Sequence, residues 1–268
     1  MSTILDKIIA QKKIEIEQKK QIISQSELEN SEYFGKPTHS LFEALSNKIG
    51  IIAEIKRCSP SKNIINNDFP AELGEERTKF VQNLAKGYAD ASAIGLSILT
   101  DKNFFSGDDS DVIDARKVTN IPILRKEFII DEYQIWEAKA MGADVILLIA
   151  SCLTISKTKY LAQKATDLGL EVLLEVHTKE EINFIDANTE LVGVNNRNLH
   201  TFEININNSL KLVEEIPNEV IKISESGLNS LSDLHLLIEV GFRGFLMGES
   251  FMKTENPAAA LQKITKRI

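Results

Sequence analysis

GADVILLIASCLTISKTKYLAQKATDLGLEVLLEV, residues 142–176, decides the fold. Two runs within it, 144–149 and 171–176, are short and mostly apolar on both faces, as strands are when helices cover a parallel sheet from both sides. The stretch 154–168 between them has a helical pattern. Gly142 and Gly169 stand where a helix stops before its next strand. The second run carries Glu175 next to its end. A carboxylate at the tip of an apolar strand is costly to desolvate and calls for a partner or a task.

The same alternation extends in both directions. Strand candidates are 51–56, 93–99, 121–126, 144–149, 171–176, 191–195, 220–224 and 244–247, with helical stretches at 75–87, 131–141, 154–168, 178–187, 230–240 and 257–266. The repeat is too short for two dinucleotide-binding halves, and no Gly-x-Gly-x-x-Gly follows any strand. The expected fold is α/β, a closed (β/α)₈ TIM barrel occupying a single domain over 1–268. The first 48 residues precede the barrel as a helical extension.

With 268 residues, 43% of them hydrophobic, and a net charge of -8, the chain reads as an acidic globule. It is neither disordered nor suited to a polyanion, so nucleic acid is not an expected partner. Cys58 and Cys152 are far apart and outside any Cys-x-x-Cys pattern, which argues against a disulfide framework and for a reducing cytoplasm. The N-terminus MSTILDKIIAQKKIEIEQKK is charged and amphipathic, without the apolar run of a signal peptide or membrane span.

In such a barrel the active site lies at the C-terminal ends of the strands. Polar residues collect there. Glu54 and Lys56 end IIAEIK and share one face by the two-residue repeat. Lys126 ends IPILRK, Glu175 the fifth strand and Asn195 LVGVN, while Ser224, Glu225 and Ser226 follow VIKI. One polar residue at a strand end is as readily a salt bridge capping the interior. Recurrence at five of eight ends favours a shared site. Ser-Glu-Ser-Gly after strand seven and Met-Gly-Glu-Ser after strand eight place small residues where barrel enzymes commonly bind phosphate through backbone N–H groups.

The segments AEIKRCSPSK (53–62), GLSILTDKNFFSG (95–107), PILRKEFIIDEYQI (122–135), GADVILLIA (142–150), LLEVHT (173–178), GVNNRNLHTFEI (193–204), ISESGL (223–228) and GFLMGESFM (244–252) closely resemble the indole-3-glycerol phosphate synthase family of tryptophan biosynthesis. The likeness keeps the order and spacing of every motif. It implies a carboxy-lyase closing the ring of 1-(2-carboxyphenylamino)-1-deoxyribulose 5-phosphate with loss of carbon dioxide and water. Lys126 then resembles the general acid at the ribulose carbonyl. Glu54, Lys56 and Glu175 match positions that share the remaining acid/base and electrostatic work, a division the sequence leaves open. Asn195 and Ser226 match residues that orient these groups, and Arg197 one that holds side chains near the site. For the phosphate the resemblance implies Ser226, Gly227, Gly248 and Glu249, the last by its backbone N–H. For the aromatic ring it implies Phe105, Phe128 and Leu199, with Ser59 and Pro60 closing over the substrate from the loop after strand one. That long loop reads as a lid. Asn63 stands in it where the family commonly has glycine, and it tolerates positive φ better than most residues. The N-terminal extension matches helices that pack over the mouth, while its residues 10 to 30, dominated by lysine and glutamate, read equally as a dimerisation or solubilising extension.

No cofactor is implied. His39, His177, His200 and His235 lack metal-ligand spacing, so no metal is expected, and His177, though on the Glu175 face, reads as a satisfied loop histidine. Two other readings belong to different classes. Another phosphosugar barrel enzyme, such as phosphoribosylanthranilate isomerase, would need a cysteine and aspartate pair. A non-catalytic phosphate-binding barrel would show a damaged constellation, whereas all six strand-end groups are present. The expected ligand is a phosphorylated small molecule, and the resemblance leaves open a tryptophan-pathway enzyme as docking partner.

Overall fold

The computed structural model describes residues 3–60, 62–198 and 201–268. Eight parallel strands close into a barrel: β1 (Gly50–Ile55), β2 (Gly95–Leu99), β3 (Ile123–Lys126), β4 (Val145–Ile149), β5 (Glu171–Val176), β6 (Leu191–Asn195), β7 (Ile221–Glu225) and β8 (Gly244–Met247). Each pairs with its neighbours in sequence, and β1 pairs with β8 to complete the ring, Gly50 opposite Gly244. Every expected strand is present, with ends moved by a residue or two. One shift matters: the seventh runs to Glu225, a residue past its expected end.

Alternation along the strands divides the core in two. Ile52, Leu124, Leu147, Leu173, Leu191, Ile223 and Leu246 point inward and fill the barrel. The intervening residues, such as Ile51, Ala53, Ile146, Leu174 and Val192, face the surrounding helices in a larger shell. The helices begin and end for local reasons. Thr154 caps the helix Ile155–Asp167 by accepting from Lys157 N–H, and Gly169 beyond it has φ 71°, where a side chain would be strained.

Helices also form where none was expected, Lys102–Phe105 and Asp109–Arg116 between β2 and β3 and Asn207–Leu212 after β6. The expected helix at 178–187 is only a 3₁₀ stretch, Glu180–Phe184. Within the long loop after β1, Cys58–Ser59 pairs antiparallel with Lys62–Ile64, so Asn63 lies in a short strand.

The N-terminal extension contains helices α1 (Ile4–Ile22), α2 (Gln25–Glu29) and α3 (Leu41–Asn47), and they divide their work. α1 reaches the mouth. α3 closes the opposite end, with Leu41 and Leu45 joining the inward-facing cluster. Glycines make room for it: a Cβ on Gly95 or Gly244 would approach Leu41 or Leu45 to 3.2 Å. Glu171, at the start of β5, accepts from the N–H groups of Leu41 and Phe42, which satisfies orphan donors of the helix start. Arg243 donates to the Leu45 carbonyl at the other end.

Candidate active site

Continuing each inward-facing row past its last apolar residue gives the lining of the mouth. Ile52 leads to Glu54 and Lys56, Leu124 to Lys126, Leu173 to Glu175 and His177, and Ile223 to Glu225. Leu191 leads through Gly193 to Asn195, and Leu246 leads to Gly248. The cavity they surround, His177 apart, is about 330 Å³ and also takes in Ser59, Pro60, Phe105, Phe128, Arg197, Ser226, Gly227 and Glu249, while His177 lines a neighbouring hollow. The structure thus brings together every expected site residue that it describes. Leu199 lies outside the described residues.

At the centre, Lys126 Nζ donates to Glu175 Oε2 at 2.9 Å and, more closely, to Glu225 Oε2. Lys56 Nζ donates to Glu54. Asn195 Nδ2 donates to Glu175 Oε1 at 3.0 Å, and Asn195 Oδ1 accepts the Arg197 N–H at 2.9 Å. Three buried carboxylates therefore face two ammoniums. Burial alone would push Lys126 toward its neutral form, but Glu175, Glu225 and Glu54 outweigh it and raise its pKa, so it stays charged.

The two carboxylates that share Lys126 do not titrate alike. Burial pushes Glu175 up, yet Lys126, His177 and the Asn195 amide overcome this and hold it at about 2. Glu225 is pushed up by burial, only partly offset by Lys126, and further by Glu175 and Glu54, reaching about 7. Its Oε1 is buried without a hydrogen-bond partner, while Oε2 takes the Lys126 ammonium.

Glu225 belongs to the central group beside the expected residues, and two-residue counting from Ile223 reaches it. Ser226, one step on, leaves that alternation with φ 66°. It lines the cavity wall, and its carbonyl accepts from Asn196 Nδ2 at 3.1 Å. His177 departs from the reading as a satisfied loop residue. Its buried ring nitrogens make no hydrogen bond, and they lie 3.4 Å from Glu175 Oε1 and 3.6 Å from Glu181 Oε2. Burial lowers its pKa, but those carboxylates raise it above the ordinary histidine value.

The loops after β7 and β8 form one wall of the cavity. A Cβ on Gly248 would lie 2.6 Å from Glu54 Cβ and 2.8 Å from its carbonyl oxygen, so the absent side chain seats both the loop and Glu54. The Glu249 carboxylate pairs with Lys253. Across the mouth, the Phe105 and Phe128 rings lie 6.1 Å apart, tilted by 39°. Cys58 donates toward Ser106 Oγ at 3.1 Å, away from the acid/base pairing an isomerase would require. No group of three His, Cys, Asp or Glu among the described residues is placed to hold a metal.

Solved structures share the barrel. A 3-hexulose-6-phosphate synthase covers 82% of the chain with a TM-score of 0.62 at 14% identity and is itself covered in full. The N-acetylmannosamine-6-phosphate 2-epimerase of Clostridium perfringens covers 86%, with 97% of its own chain, at a TM-score of 0.60 and 14% identity. Sequence relatives are far closer. The indole-3-glycerol phosphate synthase of Bacteroides thetaiotaomicron is 43% identical over 269 residues, covering all of both chains. That of Chromobacterium violaceum is 45% identical over 81% of this chain and 78% of its own, and that of Polynucleobacter asymbioticus 39% identical over 98% and 99%. The family model for indole-3-glycerol phosphate synthase matches residues 5–264. The chain belongs to the indole-3-glycerol phosphate synthase family, lyases of tryptophan biosynthesis.

Proposed function

We propose that Lys126 is the general acid of the ring closure that converts 1-(2-carboxyphenylamino)-1-deoxyribulose 5-phosphate to indole-3-glycerol phosphate. The observation that carries this is its position: a charged ammonium at the centre of the mouth, aimed by acceptors from β5 and β7. As the aromatic carbon attacks the ribulose carbonyl, negative charge develops on the carbonyl oxygen. Lys126 offsets that charge and supplies its proton. Loss of carbon dioxide relieves the crowded ring carbon, and loss of the hydroxyl as water then needs a second proton donor, with a base to take a proton and complete the indole.

Lys56, Glu54 and Glu175 divide these transfers. Asn195 fixes the orientation of Glu175. Arg197, tied through its own N–H to Asn195, holds that side of the site. Glu225 is the group that holds a proton near neutrality, and it can restore one to Lys126 after turnover. Ser226, Gly227, Gly248 and the Glu249 backbone receive the phosphate. Phe105 and Phe128 hold the anthranilate ring, with Ser59 and Pro60 over it.

We place this work in the cytoplasm, a reading supported by two free cysteines. Among the described residues no helix is long and apolar enough to cross a membrane. The test is direct. The purified chain, given the anthranilate ribulotide alone, should produce the indole absorbance with release of carbon dioxide. Intact, folded protein that yields no indole would remove the proposal.

A further inference from the structure

Helix α1 buries a lysine in the middle of an apolar stripe. Ile8, Lys12 and Ile16, spaced by four, form its covered face, and Lys12 is only 4% exposed. Its ammonium reaches Glu15 Oε2 at 2.7 Å on its own helix. On the barrel it reaches Asp101 Oδ2 at 2.9 Å and Glu127 Oε1 at 3.1 Å. Burial would strip the charge, but Glu127 and Asp101 outweigh it and raise the lysine's pKa. A lone buried ion cluster of this kind is weak evidence of a gain in stability. What its carboxylates hold is more telling.

Asp101 and Glu127 stand just beyond the tips of β2 and β3, and both are nearly inaccessible. Asp101 Oδ1 accepts the N–H groups of Phe104 at 2.7 Å and Phe105 at 3.2 Å, fixing the short helix that carries the Phe105 ring. Glu127 Oε1 accepts the Phe128 N–H at 2.8 Å, and its Oε2 accepts from Thr100 Oγ1 at 2.9 Å. The two anions that Lys12 draws together are therefore those that fix the backbone of the two facing rings. The same helix contributes Ile4, Leu5 and Ile8 to the cavity wall.

We propose that Lys12 is a positioning residue for the aromatic half of the substrate, setting the gap between Phe105 and Phe128 by bridging Asp101 and Glu127. This rests on the reading of those rings as the anthranilate slot. Without the ammonium, two buried carboxylates lose their shared counter-charge and repel. One turns toward water or takes a proton, and the ring attached to it moves.

The experiment uses the full chain and two probes. One is the substrate with its ketone reduced to an alcohol, which keeps the aryl group but cannot close. The other is inorganic phosphate, which reports the opposite wall. In Lys12→Met the aryl probe should bind about tenfold more weakly, while phosphate affinity changes by less than about twofold. KM should rise more than kcat falls, and Lys12→Arg should recover most of the loss. Lys20→Met, on the same helix but bridging Asp131 at the surface, should leave both affinities unchanged. A fall in melting temperature with both affinities intact, or equal weakening of both probes, would overturn the inference. Should Lys12→Met not accumulate as folded protein, Lys12→Gln, which keeps a donor for one carboxylate, carries the same comparison. Phe128→Ala separates the two levels. If it weakens the aryl probe and Lys12→Met does not, the inference alone falls; if Phe128→Ala has no effect, the slot is misplaced and the inference falls with it.

Discussion

The Glu225 side chain on β7 reaches back over Gly193 of β6, which pairs with Ile223, so closely that a Cβ on Gly193 would overlap Glu225 Oε1 and come within 3.1 Å of its Cδ. The glycine is what lets a full glutamate lie inside the barrel wall beside Lys126. Gly193→Ala should therefore push Glu225 out of its place without itself touching substrate. We expect a loss of about 1–3 kcal/mol in urea unfolding, typical of overpacking, together with a kcat drop of at least about tenfold. Unchanged kcat in a destabilised variant would mean that Glu225 has no part in turnover.

Glu225 also sets a pH dependence. Its folded pKa is raised from 4.5 to about 7, so the native state holds a proton that the unfolded chain gives up. The stability this contributes is full below about 4.5 and is lost as pH rises through about 7. Glu225→Gln mimics the protonated form at every pH. Relative to wild type, the variant should gain in unfolding free energy between pH 5 and pH 8, by up to about 3 kcal/mol at about 1.4 kcal/mol per pKa unit. Parallel curves for the two proteins would contradict the proton's assignment.

Lys126→Met keeps the length and apolar stem of the side chain while removing its only transferable proton. We expect kcat to fall by at least about two orders of magnitude, the usual reach of a general acid, with the ketone-reduced ligand still bound within about threefold. Glu175 and Glu225 lose their shared cation, so a lower melting temperature is expected as well. A variant that loses stability and keeps turnover would make Lys126 structural and leave Lys56 as the ammonium able to serve.

Gly248→Val tests the phosphate wall and Glu54 together. The new side chain would meet Glu54 Cβ and its carbonyl oxygen well inside contact distance. KM for the phosphorylated substrate should rise by about tenfold or more, and kcat should fall with it because Glu54 is displaced. A change in KM alone would show that Glu54 tolerates the shift.

The barrel was legible because fully buried parallel strands leave an unusual mark, short apolar runs such as VILLI at 145–149, and because charged groups at the tips of such runs are too costly to bury without a use. Most of the mouth followed from counting by two. Glu225 escaped the catalytic set through a boundary: ending the strand at Ser224 makes SESG read as loop, and one added residue places the carboxylate inside. The helix Asp109–Arg116 was missed for a different reason. Its covered side includes Asp111 and Asp114, paired with Arg77 and with Thr78 and Lys117, so the apolar period that announces a helix is broken by charge. Lys12 was beyond reach for another cause: its partners Asp101 and Glu127 are distant in sequence, and a lysine among lysines gives no sign that it will be buried. The split of the N-terminal extension between mouth and base likewise depends on glycines at strand starts, whose role appears only when strands and helix are placed together.

The seat of α3 has a consequence for how the protein is made. Leu41 and Leu45 leave the ribosome before any strand of the barrel does, yet the pocket that receives them includes Gly244 of β8 and the donors of Arg243, which follow all seven other strands. Until β8 emerges, the growing chain carries this apolar plug with its socket incomplete. Barrel closure, β1 against β8, and the seating of the plug then become one event, late and cooperative, and nascent chains stalled short of β8 are the form most exposed to capture by chaperones or by one another.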